Sequence, residues 1–272
     1  MTRKYLWITC IIFALVLAWA GAAFAAKAKA IGRFLMLEGQ VDVLKNGKLP
    51  AVAAKITVPV DIGDVIRTKS KSRAQLLFVD DSVLTLSPES RVAVADFFYD
   101  QGYNRRRVLL QLYRGLAHTV VRKILALEGP DFLMHTHTVA IGVRGTEWYT
   151  LILPNRTNVY NIEGLLQLQS SNPLIAGTIL LQTLQYREVR LNQPPGPAQE
   201  ITPAILSALR RMMYTGPVNI PPEILGGAAM PPEVEQIRVP ESITSPYAPS
   251  LSPVHPATPQ TPTSPITPGP HP

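Results

Sequence analysis

The sequence predicts an all-β protein: a single antiparallel-rich β-sandwich or short β-roll, followed by a short helix and a disordered proline-rich tail. Three observations predict it. From about residue 38 to residue 184, short apolar runs alternate with turn-forming residues at a spacing of roughly ten, the pattern of hairpins rather than of strand–helix–strand units. No helical period of comparable length competes with them there. Proline then partitions the chain: 6 of its 26 prolines precede residue 194 and 20 fall in the last 79 residues, so the packed part is expected to end near Asn192.

Taken in order, residues 1–25 read as a signal peptide. Arg3 and Lys4 supply a basic start, residues 5–20 an apolar run, and Ala23-Phe24-Ala25 the small-x-small pattern at which such leaders are cut. The run is short of the roughly 20 residues that span a bilayer, so cleavage near Ala25 is expected over a retained anchor. Contact with the membrane is expected only if the leader is retained. The β domain then covers residues 26–192. Val41, Val43 and Leu44 lead into Asn46-Gly47, a hairpin signal because a tight primed turn needs positive φ at both central residues. Asp61-Ile62-Gly63-Asp64 marks a second turn. Strands at 74–79 and 83–86 flank Asp80-Asp81-Ser82, and strands at 91–99 and 108–113 flank Asp100-Gln101-Gly102. Further strands are expected at 117–122, 132–143, 147–153, 159–162, 165–169 and 179–184.

Beyond Asn192 lies the proline-rich tail, residues 193–272, with one helix at 203–213. Thr202 is its N-cap, Pro203 occupies the first turn, and Ile205, Leu209, Met212 and Met213 share one face. Gly216-Pro217 stops it. The Ser/Thr-Pro repeats that follow favour solvated, extended chain. They read as a spacer or as a ligand for a proline-recognising partner.

One stretch, VAIGVRGTEWYTLI at 139–152, carries an anomaly. Val139, Ile141 and Val143 share one face, whereas Trp148, Thr150 and Ile152 share a face of opposite parity. A one-residue slip of this kind is what a β-bulge produces, and Gly145 tolerates the required backbone. Arg144 is then expected at a strand margin and Thr146 beside the bulge. Trp148 and Tyr149 point to opposite faces, so one is expected in the core. The other, Tyr149, is expected as a surface contact or as the cap of a sheet edge.

Composition narrows the chemistry. Without Arg3 and Lys4 the chain has 24 basic residues against 19 acidic ones, a net charge of +5, and its basic residues are dispersed. Arg105-Arg106-Arg107 reads as a solvated turn flank, so nucleic acid is not an expected partner. The one cysteine, Cys10, lies in the leader, so the exported chain carries no disulfide and relies on core burial. No activated serine or thiol marks an acyl-transfer site, and Asp80-Asp81 reads as a turn former. His135 and His137, alternating in one strand, would project together about 7 Å apart, with His118 or Glu147 as further ligands. Read plainly they are surface histidines; no metal, cofactor or catalytic residue is assigned. Asn155-Arg156-Thr157 matches a glycosylation sequon and is read as incidental.

Several segments together resemble a FecR-type domain: EGQVDVLKNGK, then DIGDVIRTKSKSRAQLLFVDDSVLTLSPES, LYRGLAH, HTVAIGVRGTEWY and VYNIEGLLQL, in that order over about residues 38–170. The motif set is Gly63-Asp64, Arg67-Thr68, Gly115 and Arg144-Gly145-Thr146. The resemblance implies a compact β-sandwich or roll that recognises proteins, in a family that passes a signal from an outer-membrane transporter to an anti-sigma segment. Only four residues precede the apolar run here, so the expectation is a stand-alone exported module. It would act as a non-enzymatic sensing or protein-binding element in the periplasm or secreted, with an envelope protein as partner. The alternatives are a cell-wall or carbohydrate-binding structural protein and a metal-dependent enzyme centred on His135 and His137.

Overall fold

In a computed structural model of the chain, residues 30–123, 129–217 and 220–224 are described. The expected leader, residues 1–25, and the expected tail beyond Ile224 lie outside them. Period-two alternation of apolar side chains builds β1 (Gly32–Glu38), β2 (Val41–Leu44), β3 (Val52–Ala53), β4 (Pro59–Val60), β5 (Val65–Thr68) and β6 (Arg73–Phe78). Next come β7 (Val83–Leu86), β8 (Arg91–Asp100), β9 (Arg105–Arg114), β10 (Leu116–Val121), β11 (Phe132–His135) and β12 (Val139–Val143). The last are β13 (Thr146–Leu153), β14 (Arg156–Glu163), β15 (Leu166–Ser170), β16 (Thr178–Leu181), β17 (Gln185–Arg190) and β18 (Gln199–Glu200), followed by helix α1 (Pro203–Thr215).

The strands fall into two nine-stranded sheets, ordered β4-β1-β6-β7-β10-β13-β14-β17-β18 and β3-β2-β5-β8-β9-β11-β12-β15-β16. Both orders advance almost monotonically with the sequence. The chain deals its strands alternately to the two sheets while moving in one direction, which makes a processive roll with a sandwich cross-section. Neighbours are antiparallel except β11, which lies parallel to β9. The expected all-β fold is therefore the observed one.

Between the sheets sits the main core. Phe34, Leu76, Leu84 and Trp148 come from one sheet, and Ile66, Leu110, Phe132 and Ile141 from the other. Trp148 meets Phe132 edge-on across the gap, with ring centroids 6.0 Å apart. A second core covers the outer face of the first sheet, where Leu116, Tyr149, Leu151 and Tyr160 pack under Leu209 and Met212 of α1. The helix begins as its sequence requires: the Thr202 hydroxyl accepts the Ile205 N–H at 3.3 Å, and Pro203 opens the first turn. Its packing carries the folded chain past Asn192, the expected boundary, as far as Ile224.

Several local expectations are corrected. Asn46 and Gly47 do take positive φ, 51° and 70°, but they form a single 3-10 turn in a longer connection to β3 rather than a two-residue hairpin. The strand expected at 132–143 is broken into the β11–β12 hairpin. The Thr136 hydroxyl accepts the N–H groups of Thr138 (3.2 Å) and Val139 (3.0 Å), and this side-chain turn competes with continued extension. The strand expected at 179–184 stops at Leu181, with Leu184 at φ 58° in the turn that starts β17. Strands β1, β3, β4, β5, β17 and β18 lie outside the set the sequence predicts.

The largest correction concerns Gly145. It lies at φ +78° between β12 and β13, where the chain leaves one sheet and enters the other. The change of side-chain phase is real, but its cause is this corner rather than a bulge in one ladder. Ile141 and Trp148 reach the same core from facing sheets, so the inward parity has to change. The ladder irregularity itself comes slightly later, between Glu147 and Trp148 against β14.

Candidate functional site

The motif residues are gathered at turns and corners. Asp64 is fully buried and accepts from the Lys45 ammonium (2.7 Å), the Asn46 N–H (3.2 Å) and the Asp61 N–H (3.0 Å), while the Gly63 N–H bonds the Val94 carbonyl at 2.7 Å. Burial opposes the charge on Lys45, yet its bonds to Asp64 and Asp61 raise its pKa overall. Arg67 grips Asp42 through two nitrogens at 2.6 and 2.8 Å, with Lys69 at 3.0 Å. Desolvation works against the Asp42 carboxylate, but these two cations hold its pKa below the ordinary value.

Thr68 donates to the Ser87 carbonyl (2.6 Å) and accepts from the Ser90 N–H (2.9 Å). Gly115 closes against the same serine: a Cβ there would lie 2.6 Å from the Ser90 Cα, at φ +98°. At the next corner a Cβ on Gly145 would lie 2.4 Å from the Lys123 Cβ. Arg144 is half-buried beside it and Thr146 is buried. Gly63, Asp64, Thr68 and Gly115 fasten neighbouring turns to one another, Arg67 ties β5 to β2 through Asp42, and Arg144, Gly145 and Thr146 stand apart at the β12–β13 corner.

Tyr149 departs from its expected surface role. Both it and Trp148 are buried, because β13 is covered on each face, by the opposite sheet and by α1. Its ring stacks on His118 at 4.3 Å, and His118 Nε2 lies 2.9 Å from a Glu147 oxygen. Burial, reinforced by Glu147, pushes the Tyr149 hydroxyl up, against a smaller opposing pull from Arg210 of α1. His135 ends β11 half-buried, whereas His137 stands exposed in the following turn. They do not share a strand face, and no group of three metal-ligating side chains occurs among the described residues.

Arg106 is not the solvated flank its sequence suggests. It is fully buried, bonded to Asp131 at 2.7 and 3.1 Å and to Asp80 at 3.0 Å, and it donates to the Arg122 carbonyl at 3.0 Å. The signal for it is the inward parity of Arg106 with Val108, Leu110 and Leu112 on β9. Removing one member of such a cluster typically costs about 3–5 kcal/mol.

Two adjoining cavities open where β1 begins. A cavity of about 760 Å³ is lined by Ile31, Ile62, Val79, Phe97, Phe98 and Tyr99, among others. A second, of about 500 Å³, adjoins it through Ala30 and Val79 and adds Ile56 and Val58. Ile62, Val79 and Phe98 are each more than two-fifths exposed, at 44%, 45% and 45%. The neighbouring edge strands β3 and β4 have two residues each.

Residues 64–166 match the FecR protein family. The matched stretch runs from the Asp64 turn to the start of β15 and bears out the resemblance carried by the motifs. No curated protein matches the chain. Among solved structures, two crystal structures of a candidate anti-sigma factor from Parabacteroides distasonis ATCC 8503 align at 16% identity. Each covers 53% of this chain, with TM-scores of 0.42 and 0.41, and the alignments span 62% and 63% of the solved chains.

Proposed function

We propose that the protein is an extracytoplasmic, non-catalytic sensing or protein-binding module of the bacterial envelope. In this reading residues 1–25 export it to the periplasm or beyond, with cleavage near Ala25. A FecR-type β domain follows, and the proline-rich tail tethers or spaces it. The apolar double groove at the start of β1 carries the reading. Clefts of this size, with mostly apolar walls and a few polar groups, are where ligands and partners commonly dock, and Phe98 is an exposed aromatic of the kind enriched at interfaces. The FecR match supports a sensing role, and the dispersed charge, with Arg106 buried and Arg107 paired to Asp96 at 2.6 Å, speaks against nucleic acid.

The test is capture from native envelope extract with the full chain as bait, identification of the bound protein, and measurement of its affinity for wild type and for Ile62→Asp/Phe98→Asp. Both side chains are exposed, so the fold is retained. Affinity should drop by about tenfold or more, equivalent to at least about 1.4 kcal/mol. An unchanged dissociation constant would remove the groove from the account.

A further inference from the structure

A β-sheet ends in a row of backbone N–H and C=O groups that can pair with another chain, and folded proteins blunt such edges with short strands, charge, proline or a covering loop. Three of the four sheet ends here are blunted in this way. β4 has two residues and starts with Pro59, and β1 beyond it carries a register irregularity between Phe34 and Met36 and ends at Glu38. β18 has two residues, and the charged remainder of β17 is capped by Gly196, whose N–H donates to the Glu188 carbonyl at 2.8 Å. β3 also has only two residues.

The fourth end, β16, has none of these guards. Its four residues, Thr178–Leu181, pair only with β15 among the described residues. Residues 164–186 contain no Asp, Glu, Lys, Arg or His, and no other described stretch runs as far without one. Within it Leu165, Leu174, Leu180 and Leu184 are each at least 46% exposed. The strand is nevertheless held in place. Leu181 is buried in the main core and its carbonyl accepts from the Asn161 amide at 2.9 Å, while Thr178 and Leu180 face solvent.

We infer that β16 is a dimerisation strand, which pairs antiparallel with β16 of a second copy of this chain. Charge selects that occupant. Without Arg3 and Lys4 the chain carries 24 basic residues against 19 acidic ones, so two copies repel where their charged faces meet, and an uncharged edge lets them approach without that repulsion. A charged peptide finds no counter-ion in residues 164–186, whereas the neutral strand matches itself. A two-fold axis perpendicular to the sheet keeps the inner faces of both copies on one side and sets residues of equal parity opposite one another. Leu180 then meets Leu180 or Thr178 of the second copy, on the face that is open in the monomer. The pairing joins two nine-stranded sheets into one and uses up the open edge, so association stops at the dimer. β16 lies at the far end of the roll from the cavities beside β4, so the dimer leaves both docking grooves open and neither proposal depends on the other.

Sedimentation velocity of the purified protein from about 1 to about 100 µM tests it, and wild type should pass from monomer to dimer across that range. Leu180→Lys, at an exposed position, sets like charges against each other across the axis and should weaken dimerisation by about tenfold or more while leaving the thermal midpoint near that of wild type. Leu180→Glu should do the same. An equimolar mixture of the two variants should dimerise again, because opposite charges then face each other. A monomer at every concentration, a dimer that Leu180→Lys leaves intact, or a mixture that stays monomeric would overturn the assignment. So would a dimer that forms only once residues 225–272 are removed, which would make the tail the occupant of this edge.

Discussion

Gly145 shows how one residue sets a corner. Its φ of +78° and the 2.4 Å approach of a would-be Cβ to Lys123 leave no room for a side chain where the chain passes from β12 into β13. Gly145→Val should therefore lower stability by at least about 2 kcal/mol, through backbone strain plus overpacking; an unaltered urea midpoint would refute the corner as described. That this position needs glycine was legible from the phase slip in VAIGVRGTEWYTLI. The nature of the break was not, since a bulge and a change of sheet shift inward parity by the same one residue. The burial of Tyr149 was illegible for a related reason. A one-dimensional pattern records which residues share a face but not what covers that face.

At the scale of elements, hairpins bounded by strong turn chemistry were legible, as with β6–β7 around Asp80-Asp81-Ser82. The β11–β12 turn was not, because Thr136-His137-Thr138 reads as strand, and only the bonds from Thr136 reveal the turn. His135 at the end of β11 offers a pH test. Burial lowers its pKa below 6.5, so the folded state resists a proton that the unfolded chain accepts. Its contribution is complete above pH 6.5 and is lost as the pH falls through the folded value. Relative to wild type, His135→Gln should lose less stability on going from about pH 7 to about pH 5, measured by denaturant unfolding at each pH. Parallel curves for the two proteins would contradict the burial of this ring.

For the whole molecule, the helix beyond the expected boundary matters most. Ile205, Leu209, Met212 and Met213 are buried on the outer face of the first sheet, at roughly 1.5–3 kcal/mol each, which is comparable to the total margin of about 5–15 kcal/mol of a typical domain. A chain ending after Glu200 should lack a cooperative thermal transition, whereas one ending after Ile224 should melt within about 2 °C of the full chain. Equal midpoints for both truncations would show that α1 is dispensable. The sequence by itself determined the all-β class, the FecR-type motif order, the capped helix and hairpin turns such as Asp80-Asp81-Ser82, because each is written in local periodicity or in residues with special backbone needs. Only the tertiary structure decided which sheet each strand joins, that β13 is covered on both sides, and where the cavities open. Those depend on contacts between segments far apart along the chain, and one linear pattern is compatible with many such pairings.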